Sequence, residues 1–455
     1  MKHLLAVITL AFAPLPAASS AFSDAFQAEL DAGRISSAMQ LARGTLETTP
    51  DSREAQFALG IAQFLSAVEG LGQGFYRFGL KNNFQNQAMG LAGLPFFRLP
   101  VPANSNPEQV SYEGLRDVLA DFVINLTEAE ATLAAVSEGP VILPIDLGTV
   151  RIDLDGDGSG SADERLAEIF DALNGRLVVD KDNLGFNFDE SDVPWLRGYC
   201  HLLMALAEIP LAHDWERPFN ATFHSLFPDS EIPSSLLAVE TRRLVDALNA
   251  YHERPEGPPS PAKPDDMDWE DWQETEAYSD YTEFRRLQTA LWASSFADII
   301  AFIHLFDLPV VEPERARGAR HHLLAVIELS RENWRLVNAE TDDDNEWLPN
   351  PRQTQRFSNL SVSSEIIAGW HTILDEFEAV LNGETLIRHW RFAGDRGVNI
   401  QRMFDEPGRL DPVMIAAGPG VLPYLEDGET LDFNKIQNAL GVAGGGYFAY
   451  FAWFN

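Results

Sequence analysis

Asp153, Asp155 and Asp157 alternate along one short stretch of this chain, Gly158 follows them, and Glu164 stands six residues further on. Carboxylates at that spacing can surround one hard cation with oxygen atoms, provided the chain turns sharply between them. Gly158 is free to adopt the left-handed backbone such a turn needs. Without a cation the carboxylates repel one another, so a bound ion would also order the stretch. Other polar residues stand inside apolar runs. His201 and Glu208 are seven apart and share one helical face, and Asp298 and His304 interrupt the most apolar helix. His213-Asp214, His321-His322, His371 and Glu376 lie in further helical segments. If several of these converge, they could bind a transition metal or move protons in a hydrolase or metalloenzyme with a cleft around His201, Glu208, Asp298 and His304. Two more acidic runs lack a placed glycine and a closing glutamate. They are Asp180-Lys181-Asp182 with Asp189, Glu190 and Asp192, and Asp342-Asp343-Asp344-Asn345-Glu346; both read as solvated turns.

The stretch Asp153-Leu154-Asp155-Gly156-Asp157-Gly158-Ser159-Gly160-Ser161-Ala162-Asp163-Glu164 resembles the calcium loop of EF-hand proteins at every fixed place of the pattern. The resemblance implies a Ca²⁺ site. Asp153, Asp155 and Asp157 would each give a side-chain oxygen, and Ser159 its main-chain carbonyl. Ser161 would act directly or through water, and Glu164 would close the site with both oxygens. The chain departs from the pattern at Gly160, where paired EF-hands carry an aliphatic residue, and in the approach, which reads as a strand and not a helix. Those departures point to a solitary loop with a structural ion, clamping the segment Val141–Ile152 to a helix over Ala162–Leu173, and not to a helix-opening switch.

The elements that must position these residues are mostly helical. The chain has 455 residues, 45% of them hydrophobic, and a formal net charge of -36. Such a surface repels phosphate backbones, which argues against a nucleic-acid partner. Residues 1–21 read as a secretory signal: Lys2 and His3, then apolar Leu4 to Ala13, then Ser19-Ser20-Ala21 with cleavage after Ala21. That implies a periplasmic or secreted protein. Cys200 is the only cysteine, so no internal disulfide is available. No segment after the signal has 18 consecutive uncharged apolar residues. Leu291–Val311, interrupted by Asp298, His304 and Asp307, reads as a core helix and not as a membrane span.

Residues 22–108 form an N-terminal helical hairpin followed by a long loop. Gly33, Ile35, Ala38, Ala42, Leu46 and Pro50, with Leu59-Gly60 after them, resemble a tetratricopeptide repeat over roughly one unit. Leu94-Pro95-Phe96-Phe97-Arg98-Leu99-Pro100 cannot be a regular helix and is a candidate cleft wall. Residues 109–252 hold helices over Tyr112–Val136, Val193–Trp215 and Leu236–His252 around the acidic loop. Residues 253–280, rich in Pro and Asp, predict an extended linker that Trp269 and Trp272 could tuck back. Residues 281–455 predict helices over Tyr281–Leu308, Glu314–Asn338 and Ser363–Leu381, then short strands at Leu386–Phe392 and Val398–Ile400. The tail from Tyr447 to Phe454 has aromatic residues at helical spacing and reads as a buried closing element. The expected architecture is therefore mainly α, helical hairpins packed in a bundle or solenoid-like array, with a minor β part near the C-terminus. The expected function is an exported calcium-binding protein whose helical body serves as a binding or scaffold surface. A protein partner in the cell envelope and an enzymatic cleft are the alternatives.

Overall fold

Short polar residues start most of the long helices, as expected where the first N–H groups of a helix need an acceptor. In the computed structural model, which describes residues 20–81, 95–169, 184–260, 262–354 and 362–442, Ser20 caps α1 (Ala21–Asp31) and Ser52 caps α3 (Arg53–Arg77). Between them runs α2 (Ile35–Thr48). Ser111 caps α4 (Tyr112–Ala134). The strand β1 (Ile142–Asp146) pairs antiparallel with β2 (Gly185–Asp189), Leu143 opposite Phe188 and Ile145 opposite Phe186. All four of these side chains are buried, while Ile142 and Asp146 face outward, the alternation of a sheet with one face on the core.

After β2 come α5 (Asp192–Leu211), α6 (Glu216–Thr222), α7 (Ser235–His252), α8 (Trp269–Gln273), α9 (Glu276–Leu305), α10 (Pro313–Ala339) and α11 (Ser364–Leu381). A three-stranded antiparallel sheet, β3 (Ile387–Arg388), β4 (Arg396–Val398) and β5 (Leu425–Asp427), is interleaved with the short helices α12 (Ile400–Asp405) and α13 (Pro412–Ala417). The helix α14 (Phe433–Val442) ends the described chain and packs on α11. The architecture is mainly α with a small C-terminal sheet, as the periodicities predict.

The body is a succession of packed helices: α3 lies on α4, α4 on α5, and α5 on α10. One continuous core runs through them, from Phe26 and Phe57 to Trp334, each 1% exposed or less. The β1–β2 hairpin leans on α1 and α3.

Two readings from sequence change. Leu291–Val311 is not a core helix. Of α9 only Phe284 and Leu287 are buried, while Trp292, Phe296, Ile300 and Ile303 are 48% exposed or more. Their spacing places them on one stripe, which hydropathy alone cannot assign to core or surface. Residues 253–280 are not extended throughout: α8 forms within them, α9 begins at Glu276, and Trp272 is buried while Trp269 stays exposed. The aromatic tail from Tyr447 to Phe454 and residues 1–19 of the signal segment lie outside the described residues. Among those described, no helix is long and apolar enough to cross a membrane.

Candidate metal centre

The two ends of the Asp153–Glu164 loop are zipped together. Arg151 and Arg165 form an antiparallel bridge, Ile152 N donates to Glu164 O (3.0 Å), and Leu166 N donates to Val150 O (2.9 Å). The predicted helix over Ala162–Leu173 is therefore interrupted. A 3₁₀ turn spans Ala162–Glu164, Arg165 is extended, and helix resumes only at Leu166; residues 170–173 lie outside the described chain. The strand-like approach predicted before Asp153 is present as residues 150–152 of this bridge.

Inside the loop the carboxylates organise the main chain. Asp153 Oδ1 accepts from Gly156 N (2.7 Å) and Asp157 N (3.1 Å), and its Oδ2 accepts from Gly158 N (2.9 Å). Glu164 Oε1 accepts from Leu154 N (2.8 Å) and Oε2 from Ser161 N (2.7 Å). Asp155 Oδ1 accepts from Asp157 N (3.0 Å). Gly158 has φ 94°, the left-handed turn that the spacing demands. Leu154, fully buried, presses against Gly72 of α3 and so pins the loop to the core.

The structure brings Asp153, Asp155 and Glu164 together: each offers an oxygen, and these atoms lie within 4.8 Å of one another. Asp153 and Glu164 are buried. Asp157 is not in that group. It is exposed, and its Oδ1 accepts from the Ser159 N–H (2.9 Å) and hydroxyl (3.0 Å). Ser159 and Ser161 are exposed as well.

The residue that sequence reasoning missed is Glu69 on α3. Its Oε1 accepts from Asp153 N at 3.4 Å. Burial pushes its carboxyl up to about 7, and the charges of Asp153 and Glu164 push the same way, against the Asp153 amide. Gln73, one helical turn on, donates to Asp153 O at 2.8 Å. No motif marks Glu69, which is 84 residues from Asp153. Gly160 also gains a reason. It faces Gly33 in the α1–α2 turn: a Cβ on Gly33 would overlap the Gly160 backbone, and one on Gly160 would overlap the Arg151 side chain and crowd Gly33, so backbone packs on backbone where paired EF-hands place an aliphatic side chain. The converging group of Asp153, Asp155 and Glu164 is all carboxylate, without nitrogen or sulfur, the oxygen donor set that hard cations prefer.

The polar residues of the apolar helices do not converge on one centre, although His201 and His322 meet. His201 Nδ1 lies 2.8 Å from His322 Nδ1, and His201 Nε2 lies 3.6 Å from Glu130 Oε1. Glu208 pairs with Arg315 at 2.9 Å, and Asp298 lies 3.4 Å from the buried His224. His304 is exposed on α9. His213 is held by the Ile209 carbonyl at 2.7 Å. These residues do not form a metal-ligating group among those described. Burial pushes the Cys200 thiol well above its ordinary range, which leaves it unreactive.

An apolar cavity of about 210 Å³ lies beside the loop. Val150, Ile152, Leu166 and Ile169, the flanks that the loop joins, form part of its wall. Phe96 and Leu99 line it too, in keeping with the cleft-wall role expected of the Pro-Phe-Phe segment, and Arg98 gives it a guanidinium. No family model, curated protein or solved structure matches this chain.

Proposed function

We propose that this is an exported calcium-binding protein in which the ion is structural and the helical body binds a partner or ligand. The observation that carries the reading is the convergence of Asp153, Asp155 and Glu164 where Val150–Ile152 and Glu164–Leu166 are bridged. An ion there, with Glu69 beside it, would neutralise carboxylates that otherwise repel, and so hold the two flanks that wall the apolar cavity. In this reading Asp157, Ser159 and Ser161 form the exposed outer side of the ion's shell. The cavity is the surface a ligand would use, an apolar molecule with an acidic group facing Arg98.

The export signal belongs to the same reading, since extracytoplasmic calcium suits a weak site with a dissociation constant of about 10⁻⁴ to 10⁻³ M. Cleavage after Ala21 would remove Ser20, which caps α1 and donates to Glu54 Oε1 at 2.6 Å. The mature chain would then begin inside the first turn of α1.

Thermal unfolding with and without calcium tests the proposal. Calcium should raise the melting temperature of the native chain, and raise that of Glu164→Gln by less. An equal rise in both, or no rise in either, overturns the structural-ion reading.

A further inference from the structure

The two acidic runs that read as separate solvated turns come together where they are described; Asp180, Lys181 and Asp182 lie outside the described residues. Asp189 ends β2, Asp192 opens α5, Glu340 follows the last residue of α10, and Glu346 lies in the loop beyond it. Asn187 joins the two segments: its N–H donates to Asn345 O (3.1 Å) and its side-chain amide to Asp344 O (2.9 Å). Asn345 adopts φ 62°, which folds the loop back toward β2. Asp189, Glu340 and Glu346 then each present an oxygen, and these atoms lie within 4.8 Å of one another.

We propose that Asp189, Glu340 and Glu346, backed by Asp192, form a second calcium site that ties the β2–α5 junction to the end of α10.

The carboxylates are pre-oriented in a way that suits ligation. Each has one oxygen held by a neutral donor. Asp189 Oδ1 accepts from Ser191 N (2.7 Å) and Oγ (2.8 Å). Glu340 Oε2 accepts from Gln353 Nε2 (3.0 Å), and Glu346 Oε1 from Asp344 N (3.0 Å). Ion pairing does not neutralise them: no described Lys or Arg makes a salt bridge to Asp189, Asp192, Glu340 or Glu346. Arg352 comes near but donates to the carbonyls of Asn338 and Glu340.

Asp192 points to a ligand independently of that trio. It is 2% exposed, its Oδ2 accepts from Asp189 N (2.9 Å), and its Oδ1 has no hydrogen-bond partner. A carboxylate oxygen so deeply buried and unpaired is costly unless a cation or a proton satisfies it. The bond from the Asp189 amide holds the Asp192 carboxyl beside that of Asp189. A divalent ion would neutralise the cluster's carboxylates at once. An all-carboxylate cage suits calcium, which accepts flexible oxygen shells, better than magnesium, which keeps its waters.

The site shares no residue with the Asp153–Glu164 loop, so it stands or falls separately. Equilibrium dialysis of the full chain against calcium chloride at about 5 mM, above the range of weak extracellular sites, and about 0.15 M salt to screen the acidic surface, counts the ions. Two per chain are expected, with one remaining in Glu164→Gln and one remaining in Glu340→Gln. Glu346→Gln, in a second position of the cluster, should also lose one, and circular dichroism of each variant confirms that it is folded. One ion that Glu164→Gln abolishes overturns the second site and leaves the first standing. One ion that survives Glu164→Gln but not Glu340→Gln supports the second site and sinks the first. Two ions that neither Glu340→Gln nor Glu346→Gln reduces, or no ion at all, overturn the inference.

Discussion

The Asp153–Glu164 loop and the Asp189–Glu346 cluster are both knots of carboxylate, yet they are built in opposite ways. The first draws its three converging oxygens from twelve consecutive residues, with Glu69 of α3 bonded to its first amide. Its main-chain amides donate to its own carboxylates, so local geometry does most of the positioning. The second draws its trio from Asp189 and, in sequence far beyond it, Glu340 and Glu346, and nothing local brings them together. It forms because α5 packs on α10 and because Asn187 bonds across to the loop at Asp344 and Asn345. The difference teaches that a contiguous site can be ordered by its ion, whereas an assembled site must be ordered by the fold before an ion can find it.

Core damage should separate them most. Leu154→Ala removes a fully buried side chain at the root of the loop and should destabilise the protein by about 2–5 kcal/mol. Denaturant unfolding measures that cost. Calcium binding at the loop should weaken with it while the Asp189 cluster keeps its ion; equal weakening at both would show that the two are not independent.

Calcium removal comes next. At a concentration a hundredfold above its dissociation constant, each ion that binds only the folded chain adds about 2.7 kcal/mol. Chelation should cost the native protein both contributions and Glu164→Gln only one, read as the difference in melting temperature. Gly160→Ala should cost about 1–3 kcal/mol, because the added methyl overlaps Arg151 and crowds Gly33. The same change at exposed Gly158 should act through its backbone and not through crowding, since nothing lies within 4 Å of a Cβ there. Comparing the two unfolding curves tests whether Gly160 is really a contact with the α1–α2 turn.

Acid should reveal a third, metal-free contribution. Burial, with the charges of His201 and His321, lowers His322 to about 4 from 6.5, against the pull of Glu130. The unfolded chain then binds the proton first, so this contribution is intact above pH 6.5 and is lost as pH falls toward 4. Glu130, hydrogen-bonded to His201 and paired with Arg197, is lowered to about 2 from 4.5, so its contribution holds above pH 4.5 and fades toward pH 2. In excess chelator, His322→Gln should flatten the stability profile between pH 4 and 6.5. An unchanged profile would place that acid sensitivity elsewhere. The smallest effect belongs to Arg165→Ala, whose exposed bond to Glu168 should contribute about 0–1 kcal/mol.

Much of the helical framework was legible because periodicity and caps are local. Tyr112, Ser235, Pro313 and Ser364 open helices within a residue or two of where the pattern places them. The C-terminal strands were legible only in part: Ile387–Arg388 falls inside the expected Leu386–Phe392, but the second strand, expected over Val398–Ile400, is Arg396–Val398 with Ile400 opening a helix, and Leu425–Asp427 was not expected. The β1–β2 pairing was not legible, because Phe186 and Phe188 alternate over only five residues and nothing local names Ile142–Asp146 as their partner. The exposed stripe of α9 was misread because hydropathy reports what a residue prefers and not what packs on it.

Sequence by itself determined the loop: its carboxylate spacing, its glycine turn and its hard-oxygen chemistry all follow from neighbours along the chain. Only the tertiary structure decided that Glu69 stands over Asp153, that Gly160 meets Gly33, and that Asp189 and Glu346, from acidic runs read as unrelated turns, share one cluster. Those contacts join residues tens to hundreds of positions apart, and chain connectivity places no constraint on such distances until the helices pack.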